Sequence, residues 1–236
     1  MDKEKQLELD IADTIIDRPK GFSVGRRHFY LYPVTLGKVY LQKRIVESLD
    51  INKELLIEIP YAEALRLSEN KKEECCLLLS YHTLQGKEEV LDNKKVQERK
   101  KYLEDNLGNE DLATLLIACL SDDKLSAYIR HFGIDKEQER MEEAAKAKND
   151  SGTLTFGGKS IYGTLIDAAC ERYKWTFDYV VWGISMINLQ LLLKDSVKTM
   201  YLTEDERKRV HTNDTSMVNG NSKEAVMDAI SSMNWG

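Results

Sequence analysis

The 236-residue chain has no apolar run approaching the ~20 residues that cross a bilayer. Its opening MDKEKQLELDIADTIID is charged from the second residue and lacks the continuous apolar core of a signal peptide. A protein of the cytoplasm, with no membrane partner, is the expectation. Cysteine is sparse: Cys75, Cys76, Cys119 and Cys170 show no CxxC spacing, and an adjacent pair does not suit a disulfide framework. Free thiols in a reducing compartment follow. The four histidines, His28, His82, His131 and His211, lie in separate segments without HxH or HxxxH spacing, so no local metal site is expected. A block of one charge is also missing. The 34 Lys and Arg and 40 Asp and Glu are interspersed, and the net charge of −6 disfavours a general nucleic-acid binder.

One segment looks superficially like a phosphate loop, Thr155–Phe156–Gly157–Gly158–Lys159–Ser160. A loop that cradles phosphate needs a glycine five residues before the last glycine of GKS, and Thr153 stands there. No acidic strand for magnesium follows. A glycine-rich connector, with Ser160 capping the next helix, accounts for the segment, and a phosphate-binding enzyme stays as the alternative reading. No residue is assigned catalysis, and no cofactor is expected. Cys75–Cys76 precedes three leucines, so these thiols read as small buried apolar groups.

What the chain does have is helical periodicity. Gly21–Thr35 places His28–Phe29–Tyr30–Leu31–Tyr32 between glycine and Pro33, a pattern for a short strand or hairpin. Thr35 then stands where it would cap a helix through Leu36, Val39, Tyr40, Ile45, Val46 and Leu49. Further helices are expected over Tyr61–Tyr81, Glu88–Leu107, Asp111–Phe132 and Lys136–Lys148, with Gly86, Gly108 and Gly133 at their ends. The last of these is too charged to be a core helix. Asn149–Gly158 is the one clear compositional break, and it sets an expected domain boundary near Ser151, giving units 1–150 and 151–236. Beyond it, Thr203 and Glu206 form a capping-box pattern, and Ser222 would cap a short amphipathic tail helix carrying Val226, Ile230 and Met233.

The densest pattern is Ile161–Asp195, two helices joined at Lys174–Trp175–Thr176, where Thr176 can cap the second. Spacing at 100° per residue puts Phe177, Val180, Val181, Ile184, Ile187 and Leu191 on one stripe, and Trp182, Met186, Leu189 and Leu193 roughly opposite. One stripe is expected to serve the core and the other a partner. Large aromatic and apolar side chains dominate contact energetics once desolvated, so the partner surface is placed at Trp175, Tyr179, Trp182, Met186, Leu189 and Leu193. The fold expected is mainly α: a helical bundle with a short N-terminal β-hairpin and a C-terminal helical hairpin.

Two stretches carry a resemblance to a known family. Phe29–Tyr30–Leu31–Tyr32–Pro33–Val34–Thr35–Leu36–Gly37–Lys38 is similar to a strand, proline, Thr-Leu-Gly, helix opening. Asp167–Ala168–Ala169–Cys170–Glu171–Arg172–Tyr173–Lys174–Trp175–Thr176–Phe177–Asp178–Tyr179–Val180, extending to Leu192–Leu193, is similar to a helix, tryptophan turn, helix and leucine run. In both the chain resembles the tail assembly chaperones of long-tailed phages and prophages of gut bacteria. The resemblance implies a non-catalytic factor of the bacterial host cytoplasm. It would coat the tape measure protein, keep that protein's apolar helices soluble, help recruit tail tube subunits, and be absent from the finished virion. A permanent structural subunit or adaptor using the same aromatic hairpin is the rival, and the sequence leaves open whether the bifacial helix self-associates in a homo-oligomer.

Overall fold

A computed structural model describes residues 3–120, 124–148 and 159–210. The elements run α1 (Lys3–Ile15), β1 (Lys20–Val24), β2 (Arg27–Leu31), α2 (Leu36–Ser48), α3 (Lys53–Glu58), α4 (Pro60–Asn70), α5 (Lys72–Thr83) and α6 (Gly86–Leu91). They continue with α7 (Asn93–Asn106), α8 (Asn109–Leu120), α9 (Lys124–His131), α10 (Ile134–Ala147), α11 (Ala168–Tyr173), α12 (Met186–Lys194) and α13 (Glu204–Arg209). Two π-helical turns, Tyr162–Asp167 and Tyr179–Gly183, complete the hairpin region. The protein is mainly α with one antiparallel β-hairpin among the described residues. None of its described helices is long and apolar enough to cross a membrane.

The chain forms two compact units, Met1–Ile134 with Phe156–Ser196, and Asp135–Thr155 with Val197–Gly236. The helical hairpin therefore shares a unit with the N-terminal helices; Ser151 lies outside the described residues. In the first unit the β-hairpin turns at Gly25, whose φ of +57° suits a residue without Cβ. Strand alternation places Phe22 opposite Phe29, with ring centroids 5.8 Å apart. Phe29 and Val24 join the main core, where α4, α5, α7 and α8 contribute Leu67, Leu78, Leu79, Leu103, Leu112 and Leu116. Tyr102 ties α7 to the strand by donating its hydroxyl to the Val24 carbonyl at 3.0 Å.

The long helices expected from periodicity are shorter pieces. Tyr61–Tyr81 divides at Lys71, which leaves helical geometry at φ −136° and ψ 38° between α4 and α5. Glu88–Leu107 divides at Asp92, whose carboxylate accepts the amides of Lys94 and Lys95 and so starts α7. Over Asp111–Phe132 the described helices are α8 and α9, on either side of 121–123. Gly86 and Gly133 do take positive φ. Glu63, which is 0% exposed, ties α4 to the start of α3. Its carboxylate accepts the Asn52 amide at 2.8 Å and two Arg66 donors at 2.7 and 2.6 Å. These bonds, Arg66 foremost, hold the Glu63 carboxyl below the usual range despite burial.

The hairpin is locked onto the start of α2. Leu36 shares a buried cluster with Ile166, Ala169, Val180, Ile184 and Leu189. The Met186 amide donates to the Val34 carbonyl at 2.7 Å, and Thr35 bridges Ser185 in antiparallel fashion. Thr35 precedes α2 as expected but makes no side-chain cap; its hydroxyl is buried without a partner. These backbone ties explain why the expected continuous second helix is broken. Ile184 is extended at φ −109° and ψ 142°, and Ser185 restarts the helix by accepting the Asn188 amide. At the preceding turn, Lys174 adopts the left-handed conformation at φ 57°, and Thr176 accepts the Tyr179 amide at 3.2 Å, the cap that the sequence suggested.

In the second unit α10 is a charged helix with an Arg140–Glu137 pair at 2.7 Å. The Thr203–Glu206 capping box forms as expected, each side chain taking the other's amide. The expected tail helix at Ser222 lies outside the described residues.

Gly37 marks how closely the hairpin approaches α2. A Cβ there would lie 2.5 Å from the Trp182 ring. Gly→Ala within a helix ordinarily gains ~1 kcal/mol. Gly37→Ala is predicted instead to destabilise by about 1–3 kcal/mol, through overpacking. Chemical denaturation monitored by circular dichroism checks the sign.

Candidate partner-binding surface

The six residues expected to face a partner fall into two groups. Trp175, partly buried against the Leu36 cluster, and the exposed Tyr179 flank the hairpin turn, where left-handed Lys174 and the Thr176 cap fix the chain. Tyr173 stacks on Trp175 with centroids 4.6 Å apart, and Tyr179 meets Trp175 edge-on at 5.1 Å. The Tyr173 hydroxyl donates to the Leu192 carbonyl at 2.8 Å, joining this ladder to α12. Tyr179 is 44% exposed, Leu192 40% and Phe177 55%. Rings already packed against one another lose little rotamer freedom when a partner covers them.

The other four turn inward. Leu189 is 0% exposed. Met186 and Leu193 pack partly buried against the same cluster as Leu36. Trp182 lies against Leu84, Val90 and Val96 and over Gly37. The stripe read as a partner surface is thus used in large part by the protein's own core, Trp182 before the break at Ile184–Ser185 and the other three after it. Val180 and Ile184 of the opposite stripe enter that core too.

A second concave feature was not visible in the sequence. A cavity of about 790 Å³ opens among α1, the β2–α2 connection, α2, α8 and α12. Leu31, Val34, Val46, Ile117, Met186 and Ile187 supply apolar wall, and Gln42 and His82 polar groups. These residues come from separate segments, so no local spacing could have announced them. Burial, then the nearby Lys38 charge, pushes His82 down to about 4. Lys38 is itself pushed down to about 8 by burial, with Glu89 opposing.

The adjacent pair of thiols is held in unreactive form. Cys75 and Cys76 are buried in the main core, and desolvation pushes both thiols up to about 12, far from a thiolate nucleophile. Among the described residues no three His, Cys, Asp or Glu side chains gather as metal ligands. Residues 155–158 of the glycine-rich segment lie outside the described residues. The chain matches no protein family, no curated protein and no solved structure.

Leu189→Ala should cost about 2–5 kcal/mol, as for a fully buried leucine, whereas Phe177→Ser should stay within about 0.5 kcal/mol of the parent; urea unfolding of both separates core from surface. His82 titrates at about 4 when folded but at 6.5 unfolded, so the unfolded chain takes up its proton first as pH falls. Stability should be complete above pH 6.5 and fall by up to ~3 kcal/mol towards pH 4. His82→Asn should flatten that window in denaturation curves taken across it.

Proposed function

We propose that the protein is a non-catalytic assembly chaperone of a long-tailed phage or prophage. It acts in the bacterial cytoplasm by covering apolar helices of the tape measure protein and helping to recruit tail tube subunits. The observation that carries this reading is the Tyr173–Trp175–Tyr179 ring ladder, continued by Leu192 and presented on a hairpin braced against a packed core. Aromatic side chains of this kind anchor protein interfaces. Their partial exposure on an acidic, highly charged body suits a factor that must stay soluble while binding apolar helices. The resemblance of residues 29–38 and 166–193 to that chaperone group supplies the identity of the client.

On this reading the client-binding residues are Trp175 and Tyr179, with Tyr173 and Leu192 beside them. Trp182, Met186, Leu189 and Leu193 act indirectly, by holding the ladder in place.

Co-expression with the protein encoded downstream tests the proposal. The parent chain should raise the client's soluble yield and co-purify with it. Trp175→Ser with Tyr179→Ser should lose at least ten-fold in co-purified client while keeping a cooperative unfolding transition. Undiminished binding by that variant would overturn the assignment of the surface, and recovery of the protein in purified particles would favour a structural subunit.

A further inference from the structure

The cavity among α1, α2, α8 and α12 holds a polar group that the fold leaves unused. At about 790 Å³ it falls within the ~300–1,000 Å³ of small-molecule sites. His82 lines it from α5 and is only 6% exposed. The His82 backbone carbonyl accepts the Tyr32 amide at 2.9 Å, but the imidazole makes no hydrogen bond to a described residue. Its nitrogens are nevertheless open. The Gln42 amide nitrogen is sealed off without a partner and can give a ligand nothing, whereas neither His82 nitrogen is among the sealed, unpartnered atoms. Buried polar groups are normally satisfied, so an open and unpartnered imidazole in a pocket points to a ligand. Water filling the space would face mainly apolar wall from Leu31, Val34, Leu78, Ile117, Met186 and Ile187. A ligand with an apolar body displaces such water favourably.

We propose that this cavity binds an uncharged medium-chain alcohol, its hydroxyl on the His82 ring and its chain along the apolar wall. The hydroxyl follows from the imidazole. Burial, then the Lys38 charge, keeps His82 neutral at pH 7, and a neutral imidazole offers one donor and one acceptor nitrogen. A hydroxyl both donates and accepts, so it pairs with whichever nitrogen is turned towards it. The absence of charge follows from the rest of the lining, which carries both signs. Asp13, Asp17 and Glu47 oppose an anion, and Arg18, Lys43 and Lys124 oppose a cation. Arg18 already meets Asp13 at 3.1 Å and Lys43 meets Glu47 at 4.0 Å, so these groups have counter-charges of their own. None of Tyr173, Trp175 and Tyr179 lines the cavity, so the site is separate from the proposed client surface.

The test titrates 1-octanol into the full chain, labelled with nitrogen-15 in histidine and carbon-13 in isoleucine, leucine and methionine methyl groups. The His82 ring and the methyls of Ile117, Met186 and Ile187 should shift together, while those of Leu103 and Leu112 in the main core stay unmoved. Octanol should bind about ten-fold tighter than hexanol, as two more buried methylenes require. Sodium octanoate and octylammonium chloride should each bind weaker than octanol by about ten-fold or more. His82→Phe should weaken octanol by about five-fold or more, the loss of one hydrogen bond. If that variant does not fold, the His82 ring signal of the parent chain decides the contact. Shifts spread over the main core, or a silent His82 ring, would overturn the site. Equal binding of octanoate or octylammonium would overturn the uncharged ligand, and equal binding of hexanol would overturn the apolar seat.

Discussion

The start of α2 bears the first unit's central constraint, because one short stretch serves two sets of partners. Val34 and Thr35 engage Met186 and Ser185 through the backbone, Leu36 enters the hairpin's cluster, and Gly37 leaves room for the Trp182 ring. Further along the same helix, Ile45 and its neighbour Leu49 pack on the main core. Helix α2 therefore couples hairpin to bundle: displacing Trp182 would open the Leu84–Val90–Val96 cluster, and displacing Leu36 would open that around Leu189. Close packing makes such a junction intolerant of one added methyl group.

This coupling gives the aromatic ladder its rigidity. Tyr173, Trp175 and Tyr179 sit at the far end of a hairpin whose root is fixed by hydrogen bonds from Asn188 to Thr14 and Asp17, at 2.8 and 3.0 Å. Partly exposed rings on a fixed base present a ready surface at small entropic cost. The exposed Lys87–Asp178 pair at 2.6 Å adds little by comparison, since such surface pairs contribute ~1 kcal/mol at most. Buried polar groups concentrate at the same junction: Lys38, His82 and the Thr35 hydroxyl all lie near where α2 meets the hairpin or the cavity.

Local chemistry was readable wherever one residue decides the outcome. The aromatic run between Gly21 and Pro33 becomes the β-hairpin, Thr203 and Glu206 make their reciprocal cap, and Lys174–Thr176 makes the turn. Periodicity overran the breaks at Lys71, Asp92 and Ile184–Ser185; at the last of them nothing in an apolar repeat records that the Val34 carbonyl claims the Met186 amide. The amphipathic α1 and the short α3 were not anticipated either. The same limit explains the partner surface. Tyr179 follows a turn that the sequence marks, so its exposure was legible, whereas Trp175 packs partly buried against the Leu36 cluster, and Leu189 and Trp182 are covered by α2 and the α6–α7 region, over a hundred positions away for Leu189 and Leu36.

Native-state hydrogen exchange tests most directly whether hairpin and bundle are one cooperative structure. The amides of Val180, Leu189 and Met186 should exchange with the same free energy of opening, and the same denaturant dependence, as those of Leu78 and Leu79 in α5. Exchange of the hairpin amides through a lower-energy opening, while α5 stays protected, would contradict the account and place the hairpin outside the cooperative core.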